Sequence, residues 1–340
     1  MERLAIALSK LGAKVLYCDN PVSLAKEKQK QLVEVQAGIF RFQSRIFGHR
    51  LNQVGLLASL QSRMVAKQMS LAAARLHLRR PIFFYTYMGR LLPVCAEMKR
   101  RGFFLTHMCI DFPEIDYQAH VSAADLTLAT VLSSVEIIRT ATGARVVNVP
   151  QFGPPDAVAD ESSPVGTEPD SMRNIPHPRL IYAGVLQNRV LLPIVRQILQ
   201  SKPHWHFIHI GSSDKLPLPN AHALAWMRRD ELMRVIASCD AGFMPYDRND
   251  PVQRNVFVPL KLLDYFGVGM PVVSTPIEGM LELKDLVYTG DSASELTSAI
   301  ERALTEPAAN SIRDRRKAFA REHSLENIAS FLSKVLPLDD

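Results

Sequence analysis

Apolar residues recur along this chain in two alternating rhythms. Leu4, Ala5, Leu8 and Leu11 fall at helical spacing and are closed by Gly12, after which Lys14-Val-Leu-Tyr17 reads as a strand. The alternation runs on to Pro150, with further strands predicted at Pro81–Tyr85, Phe103–Ile110, Leu126–Ala129 and Arg145–Val149 and helices between them. Gln53–Arg79 reads as one long helix ended by Arg80-Pro81, because a residue before proline leaves the helical region. From Gln151 to Pro178 the periodicity stops and Pro, Gly, Ser and Asp dominate, the mark of a linker. A second alternating run begins at Arg179–Ala183 and ends near Leu304, and two helices close the chain, Asn310–Glu322 and Ser324–Leu336. The pattern predicts an α/β protein of two domains, 1–150 and 179–308, joined by a linker at 151–178. The C-terminal helices at 309–340 are expected to cross back to the first domain.

The densest information lies in Cys239-Asp-Ala-Gly-Phe-Met-Pro-Tyr246 and in Leu260-Lys-Leu-Leu-Asp-Tyr-Phe-Gly-Val-Gly-Met-Pro-Val-Val-Ser-Thr275. These read as a short apolar strand, a polar loop, a helix opened by Pro259, a stop at Gly267 and Gly269, and a strand started by Pro271. The loop leaves the carboxyl end of a strand, and the helix start offers free N–H groups and the positive end of a dipole. Anions bind at that rim of an open α/β sheet. Lys261 in the first turn opposes the dipole, which an anionic ligand would explain, and it reads as an exposed residue of small structural weight. Asp264 lies three residues on along the same face, where a carboxylate can accept hydrogen bonds from a sugar or ribose diol. Lysine for phosphate with aspartate for hydroxyls points to a nucleotide sugar.

At these positions the chain resembles a GT-B glycosyltransferase of the large family-four type. The resemblance runs through Tyr182-Ala-Gly184, Phe207-Ile-His-Ile-Gly211, Asp230-Glu-Leu232, Cys239–Tyr246, Pro259–Thr275 and His323-Ser-Leu-Glu326, and covers about half of the chain. It implies two Rossmann-like domains facing a cleft, with donor contacts at Gly184, Tyr246, Asn255, Lys261 and Asp264. The family's base-binding turn falls at Met227 and Arg228, within Ala225-Trp-Met-Arg228. Family-four enzymes carry Glu-x(7)-Glu here; Asp264 takes the second place, and Val256, beside Asn255, the first. The lysine in a Pro-Leu-Lys helix is also similar to bacterial glucuronosyltransferases of exopolysaccharide synthesis, so retention and inversion both stay open. The resemblance also implies that the first strand of the N-terminal domain is missing, since the chain begins on what corresponds to that domain's first helix.

Composition narrows the classes. With 340 residues, 47% hydrophobic and 22% charged, the chain is globular rather than disordered or repetitive. Cys18, Cys95, Cys109 and Cys239 are scattered without a CxxC pair, which points away from a zinc site and towards a reducing compartment. His204, His206 and His209 do not share one face of a strand, so no metal and no cofactor beyond the nucleotide-sugar substrate, UDP- or GDP-linked, is expected. Met1–Lys14 is amphipathic rather than a secretion signal, and a cytoplasmic location is expected. Residues 1–150 hold 20 Lys and Arg against 10 Asp and Glu, net +10, while the whole chain is net +6. Arg41, Arg45, Arg50, Arg63, Lys67, Arg75, Arg79 and Arg80 lie in or near the long helix, interleaved with Ile39, Phe40, Phe42, Ile46, Phe47, Leu56, Leu57 and Leu60. Such a stretch suits an anionic membrane surface or, equally, a solvated basic face. No nucleic-acid-binding motif accompanies it.

On the acceptor side, Asp111 closes the strand Phe103–Ile110 with His107 four residues before it. Asp111 is the candidate base for an inverting transfer, or alternatively a cap of the turn before Pro113. Tyr85 and Tyr87 are either neighbours of that mouth or core residues. The expected function is transfer of a hexose or uronic acid from a nucleotide sugar to a glycan or lipid-linked acceptor in polysaccharide biosynthesis, at the inner face of a membrane. The alternatives are a non-catalytic partner subunit of the same fold and a sugar-nucleotide epimerase.

Overall fold

The computed structural model describes residues 2–23, 32–47, 55–79, 81–86, 92–109, 117–149, 153, 168–184, 186, 190–211, 216–250, 258–307 and 311–338. The chain divides into two compact units, Met1–Pro150 with Leu325–Asp340, and Gln151–Ser324.

The first unit opens with α1 (Glu2–Lys10), followed by β1 (Val15–Ser23), β2 (Leu32–Gln36) and β3 (Ile39–Ile46). These strands form a sheet in the order β1-β3-β2, parallel between β1 and β3 and antiparallel between β2 and β3. Phe42, Ser44 and Ile46 are buried while Arg41 is exposed and Gln43 and Arg45 half-buried, a period of two. The amino-terminal part of the basic-apolar stretch is therefore a strand, and the helix is confined to α2 (Gly55–Arg75). Gln68 of α2 bonds both backbone groups of Arg45, accepting from its N–H at 3.0 Å and donating to its carbonyl at 2.8 Å. It thereby completes the part of β3 beyond Phe42, where pairing to β2 has ended.

The chain continues through β4 (Ile82–Tyr85), α3 (Leu92–Arg100), β5 (Phe104–Cys109), α4 (Tyr117–Ala123), β6 (Leu126–Ala129), α5 (Leu132–Thr142) and β7 (Val146–Asn148). The four strands make a parallel sheet in sequence order. Among the described residues this sheet is not hydrogen-bonded to the first, so the unit holds two sheets. Val65 and Met69 of α2 pack with Val94 and Met98 of α3 and Leu105 of β5 in one core.

The second unit contains β8 (Arg179–Ala183), α6 (Leu192–Ser201), β9 (His206–Ile210), β10 (Ala221–Leu224), α7 (Arg229–Ala237), β11 (Ala241–Met244), α8 (Leu260–Gly267), β12 (Val272–Ser274), α9 (Glu278–Glu282), β13 (Val287–Thr289), α10 (Ala293–Leu304) and α11 (Ser311–Glu322). Its six strands are all parallel, in the order β10-β9-β8-β11-β12-β13. Counted within the unit this is 3-2-1-4-5-6, and the order reverses between β8 and β11. Phe207, Phe243, Leu262, Val273 and Ile300 fill the core on the two faces.

Part of the stretch read as linker belongs to this core. Met172 and Ile175 are buried in it, and their carbonyls accept from the guanidinium of Arg179, itself only 3% exposed, at 2.9 and 2.8 Å. Glu168 is the ion-pair partner of the same guanidinium. The closing helices also divide differently from the expected cut at 309. Helix α11 stays in the second unit, where Phe319 meets Phe266 of α8 edge-on at 5.7 Å and buried Arg316 makes two bonds to Glu306. Only the last helix, α12 (Leu325–Val335), groups with the first unit, packing on α1.

Candidate functional site

The reversal of strand order sets the place of the site. In open α/β sheets a reversal of strand order marks the ligand-binding crevice at the carboxyl rim, and here the reversal falls between β8 and β11. Gly184 follows β8 there, and its N–H continues the sheet by bonding to the Ile210 carbonyl at 2.8 Å. Its φ of +153° and the 2.8 Å that a Cβ would leave to the Lys261 ammonium both explain why no side chain stands here.

Lys261 enters this crevice from the first turn of α8. Its Nζ lies 3.7 Å from the ring centroid of Tyr182 and 5.4 Å from that of Tyr246. The side chain is half-buried rather than exposed, so the expectation that it carries little structural weight is corrected. Burial lowers its pKa from 10.5 to about 7, and the Asp264 carboxylate partly opposes that fall. Two aromatic faces hold the cation by their quadrupoles while removing water from it. Pro259 precedes α8 in an extended conformation with no side-chain hydrogen bond capping the helix, and its carbonyl accepts from Leu262 N–H at 2.9 Å, so the positive end of the helix dipole starts at this rim.

Tyr246, read as a donor contact, is 3% exposed and forms the floor beneath Lys261. Thr275 fixes it by donating to its carbonyl at 2.8 Å, and Ser274 does the same for Met244 at 2.9 Å. Tyr265, one helical turn beyond Lys261, ties α8 to β8; its hydroxyl accepts from Ala183 N–H at 2.8 Å and donates to the Ile181 carbonyl at 3.3 Å. The ring passes so close to β11 that a Cβ on Gly242 would lie 2.5 Å from it.

Asp264 is also buried, and its Oδ1 accepts from Arg229 at the start of α7, at 3.1 Å. The carboxylate is thus positioned by a guanidinium, a partner that the sequence spacing did not reveal. The base-binding turn differs from expectation as well. Arg228 extends into solvent and pairs with Asp230 at 3.3 Å, while Met227 packs against the core. Trp226 between them and the end of β10 is the residue displayed: it is 74% exposed and its ring edge rests on Gly211, where a Cβ would lie 3.0 Å from Cζ2. Strands lie about 5 Å apart, so the end of β10 stands about 10 Å from the Gly184 end of β8. An exposed tryptophan backed by a glycine at a strand end was the signal available in the sequence.

Asn255, with Val256, and Asp111 lie outside the described residues, as does Tyr87. On the strand leading to Asp111, His107 is buried against Tyr85 and His120, and its pKa is lowered to about 4 by burial first and by the neighbouring His120 second. Tyr85 donates to the His120 carbonyl at 2.6 Å and belongs to the core.

Comparison with known proteins finds a family similarity within the second unit. Residues 177–306 match the family described as Glycosyl transferases group 1. A 98-residue stretch is 30% identical to the chitobiosyldiphosphodolichol β-mannosyltransferase of Candida albicans, spanning 27% of this chain and 21% of that protein. Among solved structures, the UDP-forming α,α-trehalose-phosphate synthase of Burkholderia xenovorans in complex with glucose-6-phosphate superposes with a TM-score of 0.70. That likeness covers 98% of this chain and 94% of that one at 12% identity. HepE of Anabaena in complex with UDP and glucose superposes with a TM-score of 0.60 over 95% and 99% of the two chains, at 16% identity. The fold is GT-B, and within the second unit residues 177–306 are similar to group 1 glycosyl transferases.

Proposed function

We propose that this chain, with its GT-B fold and its similarity to group 1 glycosyl transferases, transfers a sugar from a UDP- or GDP-linked donor to a glycan or lipid-linked acceptor. One observation carries the reading. The Lys261 ammonium stands at the point of strand-order reversal, beside a glycine and at an uncapped helix start, where a diphosphate would complete its charge. In transfer, the charge that grows most is on the departing diphosphate, and a cation with converging N–H groups lowers that barrier without reorganising. The similar proteins support the substrate class: one structure holds UDP and glucose, and the mannosyltransferase is named for a diphosphodolichol-bound acceptor.

The other described residues take consistent roles in this reading. Asp264, oriented by Arg229, presents an oxygen to donor hydroxyls. Trp226 offers a face on which the base stacks, and the distance from β10 to β8 matches the reach from a base to its diphosphate. Asp111 and Asn255, outside the described residues, keep the roles read from the sequence, Asp111 as the acceptor's base in an inverting transfer and Asn255 as a donor-sugar contact. Polysaccharide assembly at the cytoplasmic side of a bacterial membrane is the setting proposed for this chemistry.

Titration calorimetry with UDP-glucose and GDP-mannose tests the binding step, and release of free nucleotide in the presence of acceptor tests transfer. Binding lost in Lys261→Met but kept in the parent supports the site. Failure of both nucleotide sugars to bind the parent chain would overturn it. Binding without release of nucleotide or of an epimerised sugar, across an acceptor panel, would favour a partner subunit instead.

A further inference from the structure

Helix α2 carries a face that neither the core nor the candidate site uses. Its buried side, with Val65, Ala66, Met69 and Ala72, is already matched by α3 and β3. On the opposite side Leu57, Leu60, Arg63, Lys67, Leu71 and Arg75 fall on one arc about 27 Å long at a rise of about 1.5 Å per residue. Leu60 and Leu71 are each 53% exposed. The helix Gly55–Arg75 has three basic and no acidic residues, and among the described residues none of Arg63, Lys67 and Arg75 has an ion-pair partner. A merely solvated helix face gains from acidic partners three or four residues from its cations, and large leucines there gain nothing. Phe47, also exposed, follows the end of β3 that Gln68 of this helix holds.

We propose that this face of α2 docks the first unit on an anionic lipid bilayer, the leucines entering the headgroup boundary and the cations meeting lipid phosphates. Leucines alternating with unpaired cations fit a surface that is apolar below and anionic above. The sign of the first 150 residues, net +10, favours the same encounter and opposes pairing of this face with a second copy of itself. No helix among the described residues is long and apolar enough to cross a membrane, so the contact is one of surface docking.

Sedimentation of the full chain with phosphatidylcholine vesicles, and with vesicles that also contain phosphatidylglycerol, tests this without any nucleotide, so its outcome is separate from that of the catalytic reading. Binding is expected only to the phosphatidylglycerol vesicles and falls with added salt. Each cation near such a surface changes the partition about fivefold, so the triple variant Arg63→Gln, Lys67→Gln, Arg75→Gln should lose on the order of 100-fold. Leu60→Gln with Leu71→Gln should lose on the order of tenfold while keeping its salt dependence. Thermal melts matching the parent establish that these surface variants fold. Equal partition onto neutral and anionic vesicles, undiminished binding by the triple variant, or a leucine-dependent dimer that ignores vesicles would each overturn the proposal.

Discussion

Lys261 should make donor affinity depend on pH in a direction set by its burial. In the free protein its pKa is lowered to about 7, and a bound diphosphate raises it again, so binding draws a proton onto the amine as pH rises. The protonated fraction falls about 30-fold between about pH 6 and about pH 8.5 for a group titrating near 7. A charge-assisted phosphate contact is worth about 1.5–3 kcal/mol, which sets the ceiling of the loss at about 10- to 150-fold. We therefore expect the dissociation constant for UDP-glucose or GDP-mannose to rise about 10- to 30-fold across that interval. Nucleotide sugars suit the measurement because their diphosphate is esterified at both ends, unlike a free terminal phosphate that itself titrates near about pH 6. The Lys261→Met variant should bind weakly with a flat profile. Stability moves the other way. The folded pKa lies below the ordinary 10.5, so the unfolded chain holds the proton that the folded chain has lost between about 7 and 10.5. Stability of the parent rises with pH through that window, and below it the full cost of charging a half-buried amine remains. The shift sets an upper limit of about 5 kcal/mol, and with relaxation towards solvent Lys261→Met should be about 1–3 kcal/mol more stable than the parent near neutral pH. A pH-independent affinity in the parent, or a variant less stable than the parent, would refute the burial argument.

Other substitutions separate the site from its scaffold. Trp226→Ala should weaken nucleotide binding by about 1–3 kcal/mol, the worth of one base on an aromatic face, with an unchanged melting curve because the ring is 74% exposed; equal calorimetric affinity would remove the stacking role. Gly242→Ala places a carbon 2.5 Å from the Tyr265 ring and should cost about 1–3 kcal/mol in urea unfolding, the hydroxyl's bond to Ala183 loosening with it; a neutral result would mean that α8 can retreat from β11. Glu306→Ala leaves the Arg316 guanidinium, 1% exposed, without its carboxylate and should cost about 3–5 kcal/mol by the same measurement; a loss below about 1 kcal/mol would show the pair to be open to water.

The second unit was legible in the sequence because its rules are local. Pro259, Gly269 and Pro271 punctuate α8 and β12, and the apolar runs of β8, β9 and β11 are those of strands covered on both faces. The first unit was less so. Its residues 39–46 mix arginine and phenylalanine in a way that suits a basic helix face or the outward and inward positions of a strand. The hairpin with β2 is local, but pairing to β1 and the bonds from Gln68 that complete the strand end come from residues distant in sequence. The stretch at 151–178 reads as linker only in part, for a related reason. Met172 and Ile175 look like stray apolar residues in a polar linker until Arg179 is seen to need their carbonyls.

At the candidate site, residue identity could be read in advance and residue state could not. The helix start and its lysine follow from spacing alone, but whether the ammonium meets water or two tyrosine rings depends on where β8 and β11 separate, a fact of strand order. The same order turns Tyr246 from a rim residue into the floor under Lys261. Asp264 acquires Arg229 only because α7 and α8 pack together across 35 residues of sequence, which converts a solvent-facing carboxylate into one held in place by charge. A lysine that costs stability when charged and a carboxylate held in place by a guanidinium are what a site would hold if its binding energy were reserved for an incoming diphosphate and its sugar. An exposed lysine at the same position would hold an anion no more tightly than the surrounding solvent allows, since its charge would already be screened by water.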